Sequence, residues 1–319
     1  MPRTSPHASK RTPLLPSQSE EVDPRWIAKA FALTVLAALI CGYLSLCLLF
    51  YMGQWQLVLH PTRNPSSQSP VPDAPATVIH FGPDESATPQ LTGWWIPAAP
   101  ASRYAATTIL YLRGADGSLA DSSAALASLH HLGINVFAFD YRGYGQSAPT
   151  HPNAHNMAQD AEAAWLYLHT SRNLPEQQIV PYGIGIGASL ATSLATNHPA
   201  TTALILESPQ GDLLAKALLD PRSHLVPARL LFHENFPLAT PLATLATPKL
   251  LLSPDSSMPP AFQNAAMPRI TVESAHLTAE EYSQTLERFL DQYLPAVPTS
   301  LPMTTPATTL TNTPTAATP

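Results

Sequence analysis

The stretch VPYGIGIGASLA, residues 180–191, joins an apolar β-type run to three glycines and then to a run of small helix-forming residues. A strand, a glycine turn and a helix start in that order support two chemistries. One grips a dinucleotide pyrophosphate on the backbone amides of the turn, in the spacing G-x-G-x-x-[GA]. The other mounts a nucleophilic serine on the turn, in the pattern G-x-S-x-G. Gly183, Gly185 and Gly187 occupy the turn, so Gly185 stands where the second pattern has its serine.

The dinucleotide spacing is met by Gly183, Gly185 and Ala188, and Glu207 follows 24 residues after Gly183, near the place of a ribose-binding acid. That fingerprint normally occupies the first strand–helix–strand unit of its domain. Here at least two strands and two helices precede it, which weighs against a dinucleotide. Two further residues could work beside the turn. Asp255, in LLSPDSSMP (251–259), taken alone is an Asx-turn former, and His276, in VESAHL (272–277), taken alone is a loop histidine. Ser189 lies one helical turn below Gly185, where its side chain faces helix packing. The adjacent His130 and His131 have no carboxylate or cysteine at ligand spacing and read as helix surface. The sequence gives no reason to expect a metal or a cofactor.

The elements that position these residues alternate. ATVIHFG (76–82) and LTGWWIP (91–97) form an opening strand pair, and TTILYLR (107–113), INVFAFD (134–140), QQIVPYG (177–183), TALILES (202–208), PKLLLS (248–253) and RITVES (269–274) are further strands. Helices are predicted over about 119–132, ended by Gly133, over 156–168 and over 187–197. A last helix opens on Thr278 and Glu281 at capping-box spacing and turns Tyr282, Leu286, Phe289, Leu290 and Tyr293 inward. This order predicts an α/β fold: a mostly parallel, doubly wound sheet covered on both faces, with ligands beyond the carboxyl ends of the strands.

Residues 30–53, AFALTVLAALICGYLSLCLLFYMG, run 24 residues without a charge, enough to cross a bilayer core. The run is too long for a cleaved signal peptide and lacks a small-residue cleavage region. Arg3, Lys10, Arg11, Arg25 and Lys29 precede it, and only Arg63 follows before Arg103, so the N-terminus is expected in the cytoplasm and the rest across the membrane, in the periplasm if the cell is bacterial. The expected divisions are a cytoplasmic segment 1–29, a transmembrane anchor 30–53, a Pro/Ser-rich connector 54–76, a globular domain 77–294 and a disordered Thr/Pro-rich tail 295–319. Both cysteines, Cys41 and Cys47, fall in the apolar run, which excludes a disulfide framework from the globular part. A net charge of -6 without a basic run gives no footprint for nucleic acid.

Residues 55–294 resemble the α/β-hydrolase superfamily, most closely its membrane-anchored serine-hydrolase branch related to the serine aminopeptidase-like hydrolases. LYLRGADGS (110–118) stands at the oxyanion loop, FAFDYRGYGQS (137–147) is similar to the D-Y-R-G-Y-G-x-S loop, and ILESP (205–209) follows as the next strand does. The resemblance places Asp255 as the triad acid and His276 as the triad histidine, with backbone amides of Ile186 and Ala115 as the oxyanion donors; Asp140 and Arg142, taken on their own, read as structural braces of their loop. The chain departs from the family at Gly185, in the serine's place, and at Arg113, in that of the His of His-Gly. The resemblance therefore implies ancestral hydrolysis of esters, thioesters or amides, with the serine chemistry impaired here. Three alternatives stay open: hydrolysis by another nucleophile or by activated water, a binding or scaffold role, and dinucleotide binding. The apolar segment 210–247, over the site, points weakly to an acyl or ester-like ligand.

Overall fold

The computed structural model describes residues 24–63, 71, 74–82, 89–210, 213–254 and 258–294. The segments 1–23, which hold Arg3, Lys10 and Arg11, and 295–319, the expected tail, lie outside the described residues, as does Asp255.

Helix α1 (Pro24–Gly53) contains the whole uncharged run, and none of its side chains is buried against the rest of the chain. A 3-10 turn (Gln54–Leu57) follows, then the two-residue strand β1 (His60–Pro61). The main sheet opens with β2 (Thr77–Phe81), β3 (Leu91–Ile96) and β4 (Tyr104–Leu112). The two-residue β5 (Asp116–Gly117) pairs with β1, and a 3-10 turn (Leu119–Ser122) leads into α2 (Ser123–His131). Next come β6 (Ile134–Asp140), α3 (Ala154–Leu166), β7 (Ile179–Ile184), α4 (Gly187–Asn197) and β8 (Leu204–Glu207). Four short helices, α5 (Leu213–Leu218), α6 (Ala228–Leu231), α7 (Ala239–Leu242) and α8 (Pro260–Gln263), lie around β9 (Lys249–Ser253). The chain continues through β10 (Arg269–Glu273) to α9 (Ala279–Tyr293).

The eight-stranded sheet has the order β10-β9-β8-β7-β4-β6-β3-β2. All pairs from β10 to β6 are parallel, whereas β3 runs antiparallel to both β6 and β2. The sheet is therefore mixed, with its antiparallel pairs at one edge. Alternate residues of β4 enter opposite layers, as the period of two requires. Leu110 and Leu112 join Met157 and Trp165 of α3 and Ala188 and Leu194 of α4. Ile109 and Tyr111 join Leu126 of α2 and Leu286, Phe289 and Leu290 of α9 on the other face. Both faces are dry, and so the central strands read as continuous apolar runs in the sequence.

The capping box of α9 forms as the spacing predicts: Thr278 accepts from the Glu281 amide, and Glu281 accepts from the Thr278 amide. Gly133 ends α2 at φ +76, its amide donating to His130 O at 2.9 Å. The connector is shorter than its proline content suggests. Val58 and Leu59 are fully buried in the core beside Tyr144, and β1 is stitched to β5, so the globular body begins directly after α1 rather than at residue 77.

Candidate functional site

β7 delivers the chain to the turn and α4 carries it away, and the glycines between them differ in kind. A β-carbon on Gly183 would lie 2.3 Å from Gly187 O, and one on Gly187 would lie 2.0 Å from Leu112 O. These two glycines let α4 press on the sheet. Gly185 is different. It adopts φ +59, and a β-carbon there would have Gly114 Cα at 3.5 Å, Gln210 Cγ at 3.6 Å and Gln210 Cδ at 3.8 Å as its nearest neighbours, ordinary contacts. Its amide donates to Glu207 O at 3.1 Å and its carbonyl accepts from the Gln210 amide at 3.2 Å, so the exit of β8 clamps the turn. The turn thus has room for one small side chain at its apex and at neither flanking glycine.

That apex opens into a depression of about 340 Å³ lined by Tyr111, Arg113, Ala115, Asp121, Ser208 and Gln210 among others. Ala115 lies on its wall and Ile186 caps α4 beside Gly185. Among the described residues no turn or loop hydrogen bond occupies the amide of either residue. The Ile186 N–H at the start of α4 and the Ala115 N–H in the loop after β4 flank the turn, and amides so placed can hold a developing oxyanion. The neighbouring cavity, about 770 Å³, is lined by Leu213, Phe232, Phe236, Leu238 and Glu234 and shares Gln210 with the depression. Glu234 accepts from the Ala154 amide at 2.7 Å, and its burial pushes the carboxyl up.

Arg113 is 3% exposed and lies over the Tyr144 ring at 5.0 Å. Its Nη2 donates to Asp116 O, and its Nη1 is 3.8 Å from Asp140 Oδ1. Burial raises the Asp140 carboxyl above the usual range, opposed by Arg113 and by the Leu119 amide, which donates to it at 2.7 Å. Arg142 grips Asp160 through its amide (2.8 Å) and Nε (2.6 Å), so the D-Y-R-G loop is braced by two buried ion pairs. Ser189 donates to Pro237 O at 2.7 Å and faces packing, as its place one turn below Gly185 predicts.

His276 sits in the turn between β10 and α9, with its side chain 86% exposed and its Nε2 3.6 Å from Glu273 Oε1. It lines neither cavity. β10 stands three strand positions from β7, roughly 14 Å at the usual spacing. The structure thus brings Gly185, Ile186 and Ala115 together and leaves His276 outside that group. Glu207, the acid of the dinucleotide spacing, is occupied: Tyr282 donates to its carboxylate at 2.9 Å, and the Tyr182 hydroxyl bonds it too. Among the described residues no group of three His, Cys, Asp or Glu side chains could hold a metal ion.

Two features escaped the sequence. Gln210 links both cavities, and its buried Oε1 has no hydrogen-bond partner among the described residues. Ser208 takes φ +44 on the wall of the depression. The only signal for either was the abrupt end of an apolar strand at ESPQ.

Residues 105–282 match the family model for serine aminopeptidase, S33. An uncharacterized protein of Mycobacterium tuberculosis, Rv2307c, is 28% identical over 229 residues, covering 70% of this chain and 76% of that protein. Alpha/beta hydrolase domain-containing protein 17C of Mus musculus is 28% identical over 215 residues, covering 63% of this chain and 64% of that protein. The fold is similar to the Pyrococcus furiosus esterase Pf2001, with a TM-score of 0.56 at 17% identity over 75% of this chain and 99% of that one. An α/β serine hydrolase without lid from Xanthomonas campestris gives a TM-score of 0.51 at 17% identity, covering 72% and 100%. The matched region takes in more than half of the chain, from β4 to the first turn of α9, and on that ground the chain belongs to the serine aminopeptidase S33 family of α/β-hydrolase-fold proteins.

Proposed function

We propose that the chain is a membrane-anchored member of this family in which Gly185 holds the nucleophile's position, so that serine-dependent hydrolysis is impaired while the site still binds an acyl or ester-like ligand. One observation carries the reading. The apex of the turn, at φ +59, has ordinary contact distances around an added β-carbon, and the glycines on either side do not. A position with room for a side chain, beside the Ile186 and Ala115 amides and near an apolar cavity, fits a nucleophile elbow from which only the nucleophile is gone. Glycine takes such backbone angles without a steric cost. Asp255 and His276 keep the places of the triad acid and base in this reading, and His276 would have to swing inward to serve.

α1 is the anchor in this proposal. Its uncharged run of 24 residues rises about 36 Å, against a hydrocarbon core of about 30 Å. The turn after it packs against the body through Gln54, whose Nε2 donates to Leu231 O at 3.1 Å, a join suited to a retained segment. The basic residues before the run put the N-terminus in the cytoplasm and the hydrolase domain on the other side.

The test is fluorophosphonate labelling and ester turnover of the full chain beside Gly185→Ser. The expected outcome is an inert wild type and a serine variant that labels. A wild type that labels or hydrolyses overturns the reading. One observation favours hydrolysis by another nucleophile, namely Ser208 on the same wall at φ +44. Mass mapping of a wild-type adduct to Ser208 would establish that alternative.

A further inference from the structure

The described part of the globular body carries five large hydrophobic side chains on its surface, Leu166, Leu219, Leu225, Leu230 and Met267. Three of them fall within the stretch from α5 through α6. There Ser223, Val226 and Ala228 turn inward, while Leu225 (60% exposed) and Leu230 (84% exposed) turn outward among Lys216, Arg222, His224 and Arg229. Asp220 is the one carboxylate of residues 213–231, and it is already paired with Arg222 at 2.7 Å. In a chain of net charge -6, this is a local basic and leucine-rich surface.

Its position gives it an occupant. The Tyr51 ring lies 4.3 Å from the His233 ring, and the His233 amide donates to Gln54 Oε1 at 2.7 Å. Leu225 and Val226 share a groove of about 230 Å³ with Leu46, Leu49 and Phe50 of α1. Leu46 is eight residues before Gln54, about 12 Å along a helix axis. The segment therefore lies alongside the last turns of the apolar run. Exposed leucines with interleaved cations are the composition of a segment lying in a membrane interface, where aliphatic stems dip and charged heads stay wet.

We propose that residues 213–231 form a second, monotopic contact with the bilayer, which seats the mouth of the cavity lined by Leu213, Phe232 and Phe236 on the leaflet from which α1 emerges toward the body. The inference rests on α1 being a membrane anchor. It deepens the functional reading, because a ligand held in that leaflet by an acyl chain then reaches Gly185 past Gln210 without crossing water. Cationic heads beside the leucines favour a surface with anionic lipid.

The experiment uses the full chain in nanodiscs of phosphatidylcholine and phosphatidylglycerol. Single cysteines at Leu225→Cys, Leu230→Cys or Met267→Cys, each with Cys41→Ser and Cys47→Ser, carry an environment-sensitive fluorophore. Met267 is equally apolar and 70% exposed, but it precedes β10, at the opposite ends of the strands. A fourth sample keeps Cys47 alone and reports whether α1 is in the bilayer. The proposal expects blue-shifted emission and quenching by nitroxide lipids at 225 and 230, and neither at 267. If Cys47 reports hydrocarbon while 225 and 230 behave like 267, the contact is refuted and the anchor stands. If Cys47 reports water, the anchor reading fails and takes this inference with it.

Discussion

The three glycines of the turn should respond to alanine in an order that the geometry fixes. At Gly185 the added methyl meets atoms no closer than 3.5 Å, so the cost is the left-handed backbone alone, about 1–2 kcal/mol for a residue with a β-carbon. At Gly183 the methyl would sit 2.3 Å from Gly187 O and 2.6 Å from Ala188 Cα. Both are backbone atoms, so relief requires α4 to move off β7 by about 1 Å, at a cost at or above the top of the ~1–3 kcal/mol range for overpacking. Gly187→Ala, with Leu112 O at 2.0 Å, should be at least as severe. For a domain of this size each kcal/mol lowers Tm by roughly 2–4 °C. Gly185→Ala should therefore melt roughly 2–8 °C below wild type, and Gly183→Ala at least about as far again. Thermal unfolding followed by tryptophan fluorescence measures both. If Gly185→Ala proves as damaging as Gly183→Ala, the apex has no room for a side chain, and the argument for a vacated nucleophile position collapses.

Two further outcomes concern buried charges. Lys249 is fully buried and donates to Leu245 O (2.8 Å) and Ala266 O (2.9 Å); burial, with a smaller push from Arg269, lowers its pKa to about 8 from 10.5. Because the folded value lies below the unfolded one, the destabilising burden is full below pH 8 and is relieved as pH climbs from 8 to 10.5. The urea midpoint of wild type, measured against Lys249→Met, should rise between about pH 7 and about pH 10, and a flat difference would contradict the assignment. Asp160→Ala strands Arg142 without the carboxylate that its amide and Nε both reach, and should cost about 3–5 kcal/mol; a chemical melt within 1 kcal/mol of wild type (roughly a tenth of ordinary domain stability) would show the pair to be dispensable.

Much of the fold was legible because apolar runs and glycine punctuation coincide. INVFAFD and the helix over 187–197 fall on the observed boundaries of β6 and α4, since a dry strand and a small-residue helix have little freedom to slide. The direction of β3 was not legible. LTGWWI is as apolar as any parallel strand here, and its antiparallel pairing comes from chain topology. Val58 and Leu59 were hidden by the proline-rich stretch that follows them. At the site, local sequence locates Gly185, Ile186 and Ala115, because a turn and its neighbouring loop are short-range features. The exposed posture of His276 and the role of Gln210 depend on how separate strand exits approach one another. No spacing rule encodes that, nor the two phenols that close over Glu207.

The short join between α1 and the body has a mechanical consequence. Only the turn Gln54–Leu57 and the buried Val58–Leu59 separate the helix from β1, and β1 is stitched to β5, with the His60 amide on Ala115 O and the Thr62 amide on Gly117 O. The helix and the loop that carries Arg113 and Ala115 are therefore one stiff bracket. Tilting α1 applies torque directly to the wall of the depression beside Gly185, with no slack chain to absorb it.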